Sequence, residues 1–234
     1  MVASIFFVVY HHYSYLCITL NHSSTKIMRE VNPKDTNRAK AFDLWMRSPM
    51  PMVTMTKTFD ITHLRRIARS KGLKLNMLMC YAIGRAASDF GEFYLLPVGD
   101  KLMQFDNLAI NTIVMTKSGD INTCDIPFSR DIHQFAADYL RLTEQVAVTN
   151  VEYNVGDDYM VIGTSALTKC ELDSVVNLYA GFYNNPFVVW GKYRKGWFKT
   201  TLPISFQFHH TQMDGPVSTG FLNRLQEVFN SIEY

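Results

Sequence analysis

A stretch near the carboxyl end decides the fold: residues 199–215 read KTTLPISFQFHHTQMDG. Apolar side chains alternate there with Thr, Pro, Ser and Gln as far as Phe208, which predicts a strand with one apolar face. The alternation assigns Phe206, Phe208 and His210 to that face. A polar group on an apolar face has to be hydrogen-bonded or functional, and an imidazole suits proton transfer near neutral pH. His210 is therefore a candidate catalytic residue, and Asp214 can orient its ring or organise the turn.

Helical and extended patterns surround this stretch. Apolar residues recur at intervals of three and four in four segments, which predicts helices over 60–72, over 75–90, from about 129, and over 217–232. Short apolar runs predict strands over 159–168 and 186–193, and two more, 102–106 and 110–116, are predicted to pair with each other. These patterns predict an α/β fold, a two-layer sandwich with a mixed, largely antiparallel sheet.

The composition is that of a globular protein. The chain has 234 residues, 47% of them hydrophobic and 19% charged, and no Pro/Gly/Ser-rich linker divides it, so we expect one folded domain. The net charge is +2 and the basic residues are spread along the sequence, which argues against a nucleic-acid partner. The four cysteines lie far apart with no CxxC pair, which excludes a zinc knuckle and favours a reducing compartment.

Residues 1–27 differ from the rest of the chain. Their apolar run, residues 3–10, is too short to span a membrane. A secretory signal would place a basic residue before the run, whereas the first one, Lys26, follows it. Met28 opens a segment typical of a cytosolic start. We therefore expect residues 1–27 to be an extension outside the fold and residues 28–234 to form a single domain that is cytoplasmic and has no membrane partner.

The pair of His209 and His210 has simpler explanations than catalysis. A satisfied core histidine or a chance surface pair would give the same spacing. A metal site is weakly supported, because adjacent residues of a strand point to opposite faces and no third ligand stands at a suitable spacing. A Ser-His-Asp hydrolase is not indicated, because the sequence has no GxSxG motif.

The segment from His209 to Gly215 nevertheless resembles the HHxxxDG signature of the chloramphenicol O-acetyltransferase family, a subset of the HxxxD acyl-CoA transferases. Four other stretches resemble segments of that family in the same order: residues 37–42, 127–135, 165–167 and 221–227. The resemblance covers about residues 28–234, and several ordered matches are far more specific than one HxxxD motif.

The resemblance implies roles for the matching residues. His210 matches the general base that takes a proton from the acceptor hydroxyl as it attacks the thioester of acetyl-CoA. Ser165 matches the serine that donates a hydrogen bond to the oxyanion of the tetrahedral intermediate. Asp214 matches a structural carboxylate that pairs with an arginine, matched here by Arg38, and holds the active-site loop.

The acceptor, the cosubstrate and the assembly are also implied by the resemblance. Trp45 and Tyr183 match two tyrosines of an aromatic pocket that holds the nitrophenyl ring of chloramphenicol. The reaction implied is direct transfer of the acetyl group from acetyl-CoA to a hydroxyl, with no permanently bound cofactor and no metal. The family forms homotrimers, so His210 would face a pocket of the neighbouring chain at a subunit interface.

Departures from the family pattern leave two alternatives open. Thr168 and Lys169 stand where the family has Pro-Trp, and Val189 stands where it has a hydroxyl-bearing Thr near the CoA thioester. One alternative is an acyl-CoA transferase with a different alcohol or thiol acceptor. The other is a relative that binds CoA or a drug without turnover.

Overall fold

The structure, a computed structural model, describes residues 28–179, 181 and 183–234. The predicted extension over residues 1–27 lies outside the described residues. The described chain has an α/β fold built from a mixed sheet and five helices, as the sequence predicts. None of the helices in the described part of the chain is long and apolar enough to cross a membrane.

The strands form one large sheet and one small sheet. In chain order they are β1 (Arg29–Glu30), β2 (Met52–Asp60), β3 (Leu95–Val98), β4 (Lys101–Gln104), β5 (Asn107–Met115), β6 (Ile121–Pro127), β7 (Tyr159–Leu167), β8 (Phe187–Gly191), β9 (Arg194–Lys195) and β10 (Thr200–His209). The large sheet has the order β2, β10, β8, β7, β5, β6, with β9 beside the start of β10. β7 runs parallel to both β5 and β8, and the other pairings between these strands are antiparallel. The predicted mixed, largely antiparallel sheet is thus confirmed.

The helices begin and end at residues that the sequence marks. They are α1 (Ala39–Trp45), α2 (Thr62–Ser70), α3 (Leu75–Ala87), α4 (Ile132–Thr149) and α5 (Gly215–Ser231). α2 ends just before Gly72, whose φ of +66° favours glycine and stops the helix. α4 begins after Asp131, whose side chain accepts hydrogen bonds from the next turn. The buried stripe of α4 continues through Leu142, whereas Leu140 is exposed.

Aromatic side chains of β10 form the centre of the core. The ring of Phe206 lies 6.0 Å from that of Phe93 and 4.7 Å from that of Phe221 in α5, measured between centroids. Phe208 contacts Phe206 on the same face at 5.2 Å. The core therefore joins α5 to the strand that leads into the histidine pair.

The opposite face of β10 is also buried, although its side chains are polar. Ser205 accepts a hydrogen bond from the amide of Val175 at 2.8 Å, and Gln207 donates to the carbonyl of Asn177 at 3.3 Å. The segment between β7 and β8 thus covers this face. Alternation predicted which side chains share a face, but it did not reveal that both faces are covered.

The predicted pairing of 102–106 with 110–116 is wrong. β4 pairs with β1 and β3 in the small sheet, whereas β5 pairs with β6 and β7 in the large one. The buried side chain of Phe105 and the turn at Asp106 separate the two strands. A polar break between two apolar runs therefore marks a change of sheet here rather than a hairpin.

Candidate active site

The histidine pair lies where β10 ends and the chain turns towards α5. β10 ends at His209 and α5 begins at Gly215. The amide of His210 donates to the carbonyl of Pro51 at 2.8 Å, so the turn is fastened to the residue that precedes β2. Because His210 follows the last residue of the strand, strand alternation does not determine where its side chain points.

The imidazole of His210 is held by an aromatic contact. Trp45, the last residue of α1, stacks on it with centroids 4.7 Å apart and an angle of 5° between the rings. Within the part of the chain that the structure describes, Nδ1 of His210 is buried and has no hydrogen-bond partner. Stacking on Trp45, rather than a bond at Nδ1, therefore fixes the plane of the ring. The predicted pocket residue Trp45 thus lies in direct contact with the predicted base.

Arg38 holds the turn that carries His210. Its side chain is almost fully buried and makes three hydrogen bonds to the turn. Nε donates to the carbonyl of Thr211 at 2.9 Å, Nη2 to the carbonyl of His210 at 3.1 Å, and Nη1 to Oδ2 of Asp214 at 2.9 Å. A planar guanidinium suits this arrangement, because its donors lie in a fixed fork. The structure therefore brings Arg38, Asp214 and His210 together although Arg38 is more than 170 residues away in sequence.

Asp214 links the turn to α5. Its Oδ1 accepts a hydrogen bond from the amide of Val217 at 3.4 Å and so caps the helix. Burial opposes ionisation of the carboxyl group, but the hydrogen bonds from Arg38 and Val217 and the nearby positive charge lower its pKa below the ordinary value of 3.8. Asp214 is therefore ionised at neutral pH, and the ion pair with Arg38 persists there.

His209 has a different environment from His210. Its side chain is 1% exposed, and Nδ1 accepts a hydrogen bond from the amide of Thr211 at 3.1 Å. Burial, together with the charge of His210, lowers the pKa of His209 to about 4. His209 is therefore neutral near pH 7 and acts as a structural acceptor within the turn.

We expect this burial to make the folded protein sensitive to mild acid. The unfolded His209 has an ordinary pKa of 6.5 and the folded one a pKa of about 4, so the unfolded state binds more protons between these values and stability falls as the pH drops through them. Between pH 7.5 and pH 5 this one group lowers the free energy of unfolding by about 2 kcal/mol. Urea unfolding at pH 7.5 and pH 5, followed by fluorescence, measures it.

The matched variant for this test is His209→Asn, whose side-chain oxygen can still accept from the Thr211 amide but does not titrate. Its stability should depend less on pH over this range than that of the wild type. An identical pH dependence in the two proteins would show that His209 is not the group responsible.

Ser165 lies on the same sheet but away from His210 of its own chain. It pairs with Val189 of β8, which in turn pairs with Ser205 of β10. Ser165 thus lies two strands away from β10, at the same height in the sheet as Ser205, which precedes His209 by four residues. With a strand spacing of about 4.8 Å and a rise of about 3.3 Å per residue, the Cα atoms of Ser165 and His209 are about 16 Å apart. A single chain therefore does not bring the predicted base and the predicted oxyanion donor together.

The sheet surface beside Ser165 is apolar. A Cβ atom at Gly163 would lie 2.2 Å from the ring of Phe187, so this ring covers β7 at a position that only glycine leaves open. Val189, the neighbour of Ser165, is buried on the same face. An apolar wall of this kind suits an apolar acceptor.

Tyr183 lies in the segment that precedes β8, and β3 links this segment to the turn of His210. The adjacent Asn184 donates to the carbonyl of Pro97 at 2.8 Å, and Gln212 of the turn donates to the carbonyl of Leu95 at 2.6 Å. These two carbonyls belong to β3 and are two residues apart, so both segments are fixed to one short strand. Gln212 is fully buried, and sequence reasoning did not identify it as a site residue. Its position inside the HHxxxDG motif is the signal that could have done so.

The described residues offer no obvious metal site, since none of their His, Cys, Asp and Glu side chains form a group of three that could hold an ion. The side chains that the structure does gather at the turn are an imidazole, a guanidinium, a carboxylate and an indole. This set can bind an uncharged substrate and move a proton.

The fold is one that acetyltransferases have. A solved chloramphenicol acetyltransferase has a TM-score of 0.75 at 19% identity, covering 87% of this chain and 100% of that one. A probable dihydrolipoamide acetyltransferase from Listeria monocytogenes has a TM-score of 0.64 at 14% identity, covering 86% of this chain and 92% of that one. Both likenesses concern the fold.

The family follows from the sequence comparison. Residues 28–226 match the model of the chloramphenicol acetyltransferase family, and the chain belongs to that family. Among curated relatives, chloramphenicol acetyltransferase 3 of Escherichia coli is 29% identical over 184 residues, which cover 76% of this chain and 85% of the relative.

Proposed function

We propose that this protein transfers the acetyl group of acetyl-CoA to a hydroxyl of chloramphenicol, with His210 as the general base. The observation that carries the proposal is the turn of His210, which Arg38 fastens by three hydrogen bonds while Trp45 stacks on the imidazole. Family membership supports the acetyl transfer. The aromatic and apolar side chains of Trp45, Tyr183 and Phe187 support an apolar, ring-bearing acceptor.

The proposed reaction is a direct transfer. The imidazole of His210 takes the proton of the acceptor hydroxyl while its oxygen attacks the carbonyl carbon of the thioester. The carbonyl oxygen becomes an oxyanion, to which Ser165 donates a hydrogen bond. The intermediate then expels the thiolate of CoA, which takes the proton back from the imidazolium, so the base is restored and no acyl-enzyme forms.

The separation of Ser165 from His210 in one chain supports an active site shared between subunits. The Cα atom of Ser165 lies about 16 Å from that of His209, the residue before His210. Ser165 and His210 therefore cannot act on one acetyl group unless they come from different copies. In the homotrimer that we propose, His210 of one subunit faces Ser165 of its neighbour. The contacts of a cyclic trimer are head-to-tail, which allows three such sites.

The direct test mixes purified protein with acetyl-CoA and chloramphenicol and follows release of the CoA thiol with a thiol-reactive dye. One new thiol per acetylated hydroxyl supports the proposal. A second assay replaces chloramphenicol with a dihydrolipoyl acceptor. Transfer from one thiol to another leaves the number of thiols unchanged, so the S-acetyl product is measured there by chromatography. Transfer to the thiol alone would reject chloramphenicol, and ligand binding without transfer in either arm would reject an enzyme.

Ser165→Ala should lower turnover about 10- to 1,000-fold with little change in the KM of the acceptor, because an oxyanion donor acts mainly in the transition state. Initial rates over a range of chloramphenicol concentrations measure this. Thr164→Ser, the neighbouring hydroxyl on the helix-facing side of β7, is the matched control. An unchanged rate in Ser165→Ala would remove Ser165 from the proposed site.

The same variant tests the shared site. Co-refolding equal amounts of Ser165→Ala and His210→Ala should restore roughly one quarter of the wild-type sites, because in a randomly mixed trimer half of the subunits carry each intact residue. Activity that stays at the level of the separate variants would place both residues in the same subunit's site or in none.

A further inference from the structure

Two large aromatic side chains stand at the tip of the hairpin between β9 and β10. Trp197 is 100% exposed and Phe198 93% exposed. The tip is a closed turn, because the amide of Gly196 donates to the carbonyl of Lys199 at 2.8 Å. Single exposed apolar residues are common, but adjacent large aromatic side chains that are both exposed are typical of an interaction site.

The hairpin is fastened to the amino-terminal end of α2. The amide of Ile61 donates to the carbonyl of Thr200 at 2.9 Å, and the amide of Thr200 donates to the hydroxyl of Thr62 at 2.8 Å. An open groove of about 450 Å³ lies along this junction. Its lining consists of Thr62, Arg65, Arg66, Arg69, Ser70 and Thr200. The aromatic tip and the arginines of α2 therefore belong to one surface.

This surface carries positive charge that nearby acids do not neutralise. Among the residues that the structure describes, Arg66, Arg69 and Lys195 make no ion pair or side-chain hydrogen bond, and all three are exposed. Arg65 lies over the ring of Tyr193 at 4.7 Å. Lys199 has an acid near it, the carboxylate of Asp60 at 3.5 Å.

We propose that this aromatic and cationic surface, formed by Arg65, Arg66, Arg69, Lys195, Trp197 and Phe198, docks on the surface of a bilayer that contains acidic phospholipids. Trp and Phe favour the headgroup region, where their apolar bodies leave water. Arginines bind headgroup phosphates through paired donors, and cations close to an anionic leaflet strengthen attachment. The convex tip suits insertion between headgroups, and the flanking groove can take a phosphate. The proposal does not depend on the acetyl-transfer reaction.

The linear sequence hides this surface. The basic residues are spread along the chain, and the expectation of no membrane partner rested on the lack of a long apolar segment. Folding brings α2 next to the β9–β10 hairpin, more than 120 residues later in sequence, and so gathers the cations beside the aromatic pair. Attachment of this kind is peripheral and needs no spanning helix.

The experiment is sedimentation of the full chain with vesicles of phosphatidylcholine containing 30% phosphatidylglycerol, compared with pure phosphatidylcholine, at low and high salt. We expect binding to the acidic vesicles that weakens with salt, and a blue shift of tryptophan emission on binding. Trp197→Ser with Phe198→Ser should lower vesicle affinity at least tenfold and remove the shift. Arg66→Gln with Arg69→Gln should lower affinity roughly 25-fold, at about fivefold per cation.

Two controls make the result specific. Lys117→Gln with Arg141→Gln removes the same charge from exposed positions outside this surface, and Val148→Ser removes an exposed apolar side chain from α4. Every variant keeps residues 1–27, so any contribution of that segment is the same in all. Equal binding by all variants, or no binding to acidic vesicles, would overturn the proposal.

Two further outcomes would also overturn it. If the hairpin and arginine variants raise the KM for acetyl-CoA but leave vesicle binding unchanged, the surface binds a soluble phosphorylated ligand. If they abolish binding of a single-stranded oligonucleotide and the wild type ignores vesicles, it binds nucleic acid.

Discussion

His210→Ala should abolish acetyl transfer, with a fall in turnover of at least about 10²- to 10⁴-fold, which is the usual contribution of a positioned general base. An acceptor alcohol is a weak nucleophile near neutral pH, and the described turn holds no other imidazole able to replace the base. His209 is buried, bonded through Nδ1 to the Thr211 amide, and has a pKa of about 4. Steady-state rates of CoA release with chloramphenicol measure the loss.

The loss should be catalytic and not structural. The main chain of His210 makes the hydrogen bonds that fix the turn, its amide to Pro51 and its carbonyl to Arg38, and alanine keeps both. Light scattering should therefore show the same oligomeric state as for the wild type. The urea concentration at the midpoint of unfolding should be nearly unchanged. His133→Ala is the matched control, because His133 is an exposed helical histidine. Near wild-type turnover in His210→Ala would end the assignment of His210 as the base.

Arg38→Ala should impair both stability and turnover. Removing the guanidinium leaves the carbonyls of His210 and Thr211 without their donor and leaves Asp214 without its partner. Loss of one member of a fully buried pair costs about 3–5 kcal/mol. Because the Asp214 side chain is 41% exposed, we expect about 2–4 kcal/mol here, allowing for solvent screening. Urea unfolding measures this at a fixed protein concentration, since the stability of the proposed trimer would depend on concentration.

Turnover should fall about 100-fold in Arg38→Ala, because a displacement of about 1 Å of a reacting group costs that much. Asp214→Asn removes the ion pair but leaves the hydrogen bonds from Arg38 to the carbonyls of His210 and Thr211. Asparagine can still cap α5 at Val217. This variant should lose less stability than Arg38→Ala, while its turnover falls with little change in the KM of the acceptor. Equal turnover in the wild type and both variants would show that the Arg38 contacts do not position His210.

The sequence predicted best those features that depend on neighbouring residues. The alternation over 199–210 gave the strand and its core face, because side chains of a strand point to opposite sides in turn. The predicted helix over 60–72 stops at Gly72, and the one predicted from about 129 begins after Asp131, through backbone conformation and capping. Asp214 likewise caps α5. Each of these effects acts within a few residues.

β2 shows how a local signal can be missed. Thr54, Thr56 and Thr58 alternate along it, which is a strand pattern, but Lys57 interrupts the apolar positions between them. In the structure Lys57 lies over the ring of Phe59 at 5.3 Å and donates to Asn223 of α5. The aliphatic part of the Lys57 side chain packs against the sheet while its ammonium group is hydrogen-bonded. A charged residue can therefore occupy a position on the helix-facing side of the sheet.

The sequence by itself determined the α/β class, most of the elements, and the histidine motif with its family resemblance. Only the tertiary structure decided that β4 and β5 belong to different sheets and that Ser165 lies far from His210 of its own chain. It also decided that the arginines of α2 line a groove with Thr200, at the base of the hairpin that carries Trp197. The division has a physical reason. Strand alternation, helix periodicity and capping act within a few residues of one another. The pairing of segments more than 100 residues apart depends on which faces bury together, and that is set by the packing of the whole chain.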